Sequence, residues 1–105
     1  MNTKEIAQTI LSQLGGNKFC VMTGAKDLVC HKDKEGNPYL GFKFKMCRKA
    51  NYCQIALTPS DTYDMTFVKL QKYDFKEVKK FSGVCCDMLC DIFEDFTGLR
   101  TSLTR

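Results

Sequence analysis

No uninterrupted apolar stretch in this chain is longer than a few residues, so no segment is built to cross a bilayer. The opening segment, Met1 to Leu14, mixes Lys4, Glu5 and Gln8 into an amphipathic pattern and lacks the continuous apolar region of a secretory signal. The protein is therefore expected to stay in the cytoplasm, with no membrane partner. Close cysteine pairs of the Cys-x-x-Cys kind are missing, which removes the usual framework of a structural zinc site. Gly15-Gly16 and Gly24 lack the strand, glycine-loop and helix order of a phosphate-binding loop, together with its Lys-Ser/Thr ending, and read as turns. Only one imidazole, His31, is available to activate a nucleophile.

What is present fits one domain over residues 1–105, large enough to bury a single core. Hydrophobic residues at 44% and charged residues at 27% describe an ordinary globule and argue against disorder. The seven cysteines, at positions 20, 30, 47, 53, 85, 86 and 90, cannot all close into intramolecular disulfides and show no regular spacing. A reducing compartment is expected, where most of them act as small hydrophobes. Net charge is only +4, but its distribution is uneven. Between Lys18 and Lys49 there are eight Lys or Arg, and Lys69 to Lys80 holds five Lys. Residues 84 to 98 reverse the sign. There Val84, Met88, Leu89, Ile92, Phe93 and Phe96 recur at helical steps, while Asp87, Asp91, Glu94 and Asp95 share the other side.

The periodicity predicts a first helix at Thr3 to Leu14, with Ile6, Ile10, Leu11 and Leu14 as its stripe and Asn2 with Glu5 at capping-box spacing. Gly15-Gly16 ends it. Lys18 to Thr23 alternates like a strand, and Leu28 to His31 reads as a second short one. Lys32 to Pro38 is a polar hairpin loop. Tyr39 to Met46 is the clearest strand, with Leu40, Phe42, Phe44 and Met46 on one side and Tyr39, Gly41, Lys43 and Lys45 on the other. After a basic turn, Tyr52 to Leu57 places Cys53, Ile55 and Leu57 inward and Tyr52, Gln54 and Ala56 outward. Tyr63 to Lys72 is a further strand, and Phe75 to Phe81 reads as strand or helix. A last helix opens at Ser82 or Gly83 and closes at Gly98, followed by a tail that docks through Leu99 and Leu103. The sum is an α+β fold: an N-terminal helix, an antiparallel meander of about five strands and a C-terminal helix, both helices on one sheet face.

Candidate chemistry is sparse. Cys30-His31, Cys47 with Cys53, and Cys86 with Cys90 are the nearest metal-like sets, and only the last, at i and i+4, faces one way on a helix. Core or half-exposed thiols are the preferred reading, with no metal and no cofactor. Cys20 and His31 would sit on neighbouring strands, but nothing nearby supplies an oxyanion hole, so no enzyme is expected. The outward sheet side offers more. Tyr39, Lys43, Lys45 and Tyr52, with Arg48 and Lys49 in the adjoining turn, combine cations with rings that follow a DNA or RNA backbone and stack on bases. The bland alternative is an exposed strand whose lysines discourage edge pairing. Asp87, Asp91, Glu94 and Asp95 read as a solvated face or a surface for a host protein.

Several short blocks in fixed order resemble a family of small proteins encoded by bacteriophages and prophages. They are Leu14-Gly15-Gly16-Asn17-Lys18-Phe19, Met22-Thr23-Gly24-Ala25-Lys26, the Leu40 to Phe44 strand, Tyr63-Asp64-Met65-Thr66-Phe67, and the ending from Gly83-Val84 through Thr97-Gly98-Leu99 to Thr101-Ser102-Leu103. The resemblance implies an accessory protein acting inside the bacterial host cell. It carries no reaction, cofactor or catalytic residue with it. This chain is richer in cysteine than that pattern, at Cys85, Cys86 and Cys90 above all.

Overall fold

The computed structural model describes residues 2–45 and 47–99. Helix α1 spans Thr3–Leu14, and its first turn is capped as the sequence requires, the Asn2 side chain accepting the Glu5 backbone N–H at 2.8 Å. Ala7, Ile10 and Leu14 are buried, with Ile6 and Leu11 packed beside them. Gly15, at φ +126°, stops the helix by returning its N–H to Leu11 and Ser12.

The expected strand at Lys18 to Thr23 is instead a second helix, α2, over Asn17–Thr23. Strand alternation would set Phe19 and Val21 on one side. The structure separates them completely, Phe19 being 0% and Val21 82% exposed, whereas Phe19 and Thr23 share the buried side at the i, i+4 step of a helix. The Thr23 hydroxyl donates to the Phe19 carbonyl at 2.7 Å, and Gly24 in the left-handed conformation closes the last turn.

Five strands follow as one antiparallel meander: β1 at Lys26–Lys32, β2 at Pro38–Lys43, β3 at Tyr52–Leu57, β4 at Tyr63–Leu70 and β5 at Phe75–Val84, ordered in space as in sequence. Their connections are built from side chains that imitate backbone. In the β1–β2 loop, Asp33 accepts the N–H groups of Glu35 and Asn37 at 3.0 and 2.9 Å. Ahead of β3, the Asn51 amide bonds Leu70 in both directions, donating to its carbonyl at 3.1 Å and accepting its N–H at 2.6 Å. β2 stops three residues earlier than the sequence pattern implies, and beyond it the Lys45 N–H turns to the Thr23 carbonyl at 3.3 Å. Met46 lies outside the described residues.

The ambiguous segment from Phe75 is a strand, and it runs on to Val84, past the point where the last helix was expected to begin. Gly83, at φ +68°, marks a register shift in β5 rather than a helix start. A short 3-10 turn, Cys86–Met88, then leads into α3 at Leu89–Thr97. Val84 is therefore buried as a strand residue, and Met88 is exposed. Leu99 packs against the core; Leu103 and the rest of the tail lie outside the described residues.

All three helices share one face of the sheet with an aromatic cluster. Seven of the eight phenylalanines take part, and Phe93 on α3 is their hub. Its ring centroid lies 5.2 Å from Phe19 and from Phe44, 6.0 Å from Phe67 and 6.1 Å from Phe42. One side chain thus joins α2, α3, β2, the β2–β3 connection and β4. Replacing it, Phe93→Ala, is expected to lower unfolding free energy by about 3–5 kcal/mol, more than truncation of the exposed Phe75, as read by urea denaturation.

Candidate nucleic-acid interface

Among the described residues, the helices leave the other sheet face uncovered, and strand register fixes which residues lie on it. Lys26, Lys43, Tyr52, Val68 and Glu77 are successive partners across the five strands. Beside that row run Val29, Gly41, Gln54, Thr66 and Lys80, then His31, Tyr39, Ala56 and Asp64. Alternation along each strand puts all of these on the side opposite Phe42 and Phe67.

Gly41 explains how the two tyrosines are placed. A Cβ at this position would collide with the Tyr52 phenol and press on a Val29 methyl, so the missing side chain is the space that the ring occupies. Tyr52 is half-buried there. Burial first, then the neighbouring Tyr39 and Cys53, push its phenol up to about 12. Cys53, on the core side, is fully buried, and burial raises its thiol so far that it is inert as a nucleophile.

The six residues expected to contact nucleic acid separate into three places. Tyr39, Lys43 and Tyr52 stand on the open face, where Lys43 also meets Asp27 at 3.7 Å, an exposed pair of small energetic weight. Lys45 and Arg48 are exposed in the β2–β3 connection, Lys45 with its stem beside Gly24 at the end of α2. Lys49 points to the helical layer. Its ammonium donates to the Phe96 carbonyl at 3.2 Å and lies 5.2 Å from the Phe96 ring centre, so it serves the C-terminal end of α3. Lys26 was missed by the pattern, because a bulge with Asp27 at φ +53° breaks the period of two that would have put it opposite Lys43.

Positive charge is therefore gathered at the β1–β2 end of the face. Toward β5 lies a shallow trough of about 330 Å³, lined by Asp33, Glu35, Asp64 and Glu77 against Lys34 and Lys80, with Phe75 at its rim. On the helical side, Asp87 belongs to the 3-10 turn, while Asp91, Glu94 and Asp95 lie on α3. Asp87, Asp91 and Asp95 are exposed and Glu94 is half-buried.

The thiol and imidazole candidates are dispersed. Cys20 lies on α2, so its expected place on a strand beside His31 does not exist. His31 is exposed on β1, its Nδ1 accepting the Lys32 N–H at 2.7 Å. Cys86 is in the 3-10 turn, and Cys90 donates to the Leu14 carbonyl at 3.2 Å. Among the described residues, no three His, Cys, Asp or Glu side chains converge to hold a metal ion, and no helix is long and apolar enough to cross a membrane.

The Tyr52 environment makes a prediction. Gly41→Ala should drive the ring toward water, lowering its titration from about 12 toward the ordinary 10.0 in an ultraviolet phenolate titration. Unfolding free energy should fall by about 1–3 kcal/mol. In the parent protein the neutral phenol's contribution is complete below pH 10.0 and is lost as pH rises through about 12, so the variant should also show a weaker alkaline loss of stability. Compared with known protein families, with curated proteins and with solved structures, the chain finds no match.

Proposed function

We propose that this protein is a non-enzymatic binding module that engages single-stranded DNA or RNA across the β1–β3 end of its open sheet face. The observation that carries the reading is the shared placement of Tyr39, Tyr52, Lys26 and Lys43 on a face that no helix covers. A ring beside an ammonium is the pairing that stacks on an unstacked base while meeting its phosphate. Lys45 and Arg48, at the adjoining end of the sheet, extend the positive field along a strand's path. Duplex is disfavoured by the same geometry, since its bases are already stacked. A role as a phage or prophage accessory protein in the cytoplasm of a bacterial host belongs to this proposal and is supported by the ordered sequence blocks.

A second reading is a protein-binding inhibitor of a host enzyme or defence complex. It is favoured by the acid-lined trough with exposed Phe75, and by the acidic residues Asp87, Asp91, Glu94 and Asp95 on the helical side. The trough adjoins the nucleic-acid site on the open face, since Ala56 in its lining is the strand partner of Tyr39, whereas the acidic helix residues lie on the opposite side.

Fluorescence anisotropy with single- and double-stranded oligonucleotides of both sugars, repeated across salt, tests the first reading. Single strands should bind more tightly, with affinity falling as salt rises. Lys43→Gln should reduce the log–log salt slope by about 0.7, and Tyr39→Ala should weaken binding by about 1–3 kcal/mol. Absence of binding at low salt would end this reading, and a stable protein partner from host lysate would then favour the second.

A further inference from the structure

We infer that β1 is the seam of a homodimer, in which two copies pair antiparallel through this strand into one continuous sheet. The sheet has two edges, and they are treated differently. β5 carries two register shifts, a positive-φ glycine at Gly83, and Lys76, Lys79 and Lys80 along its length, whereas the single shift in β1 is confined to its start, between Lys26 and Val29, with Asp27 at φ +53°. β1 has charge only toward its ends, at Lys26, Asp27 and Lys32, and its centre is Leu28-Val29-Cys30. Every residue of β1 is exposed, Leu28 by 40% and Val29 by 46%. A groove of about 210 Å³ runs along its inner side between Leu28, Cys30 and the α1 residues Ala7 and Leu11.

Hydrogen-bond alternation shows which groups the edge offers. The Asp33 N–H turns inward to the Asn37 carbonyl at 2.9 Å, so His31 and Val29 also face β2, while Lys32, Cys30 and Leu28 direct their backbone groups outward. Pro38, which has no N–H to donate, stands opposite Lys32 and fits this phase. The outward Lys32 N–H is already taken by the ring of His31 at 2.7 Å. Cys30 and Leu28 remain.

This selects one register and one occupant. A two-fold axis at Val29 sets Cys30 against the second copy's Leu28 and the reverse, exchanging both pairs of free backbone groups without disturbing Lys32. Val29 then meets its own equivalent on the open face, and apolar residues cover apolar residues. Regular pairing with the second copy ends at Leu28, because Asp27 lies in the bulge with its carboxylate near Lys43. A two-fold axis at Cys30 instead would set Leu28 against the second copy's Lys32 and would need the occupied Lys32 N–H. The proposal does not depend on the nucleic-acid reading, although the seam would bring two copies of Lys26 and Lys43 onto one continuous face.

Sedimentation velocity of the full chain without nucleic acid, over a wide concentration range, tests it. The expected result is a concentration-dependent species of twice 12.0 kDa. Cys30→Pro should abolish that species while circular dichroism and the thermal transition stay near those of the parent, because the amide it removes faces the open edge. Val29→Lys, at an exposed site, should do the same by opposing two ammonium groups, and Cys30→Ser should leave the dimer in place. A parent that stays monomeric throughout, or a dimer that survives both Cys30→Pro and Val29→Lys, overturns the inference.

Discussion

The contact of the Phe93 ring with Phe19, Phe42, Phe44 and Phe67 sets the relation between the helical layer and the sheet. A sheet of five strands has only a shallow side-chain layer with which to hold helices, and wide rings at successive positions deepen it. Because α2 and α3 both lean on this cluster, neither can cross to the other face without opening the core. Every feature of the open face follows from that one-sidedness.

The open face is chemically divided. Its β1–β2 end gathers Lys26 and Lys43 beside two rings, one of them wedged above Gly41. Its trough, lined by Asp33 and Glu35 of the β1–β2 loop and by Asp64 and Glu77 of β4 and β5, is acidic and carries an apolar rim. Charge therefore changes across the face, from ammonium groups beside rings to carboxylates of which Asp64 is met by Lys80 at 3.8 Å.

Much of this was legible in the sequence because strands announce themselves by a period of two. Leu40, Phe42 and Phe44 alternate with residues unlike them, and Cys53 and Ile55 do the same, so the inner and outer sides of β2 and β3 could be read directly. α2 was hidden because seven residues with Phe19, Cys20, Val21 and Met22 in succession satisfy either period, and only the positions of Gly16 and Gly24 distinguish a short capped helix from a strand. The start of the last helix was misplaced for a related reason: Val84 falls on the helical stripe yet is buried by the sheet. The candidate site was half legible. Tyr39, Lys43 and Tyr52 follow from alternation, whereas Lys49 looks like one more surface cation until the fold brings Phe96 beneath it, 47 residues along the chain.

Asn51 has a mechanical role that reaches beyond its own loop. By standing in for a missing stretch of strand, it lets β4 extend past the start of β3 and still keep its terminal backbone groups satisfied. Only the hairpin end from Lys69 to Lys76 reaches past the last β3–β4 pair, Tyr52 with Val68, and from Gln71 onward its residues are solvent-exposed. The Asn51 clamp at Leu70 thus separates a hairpin end that buries nothing from the phenylalanine layer, so opening of that end breaks no core contact.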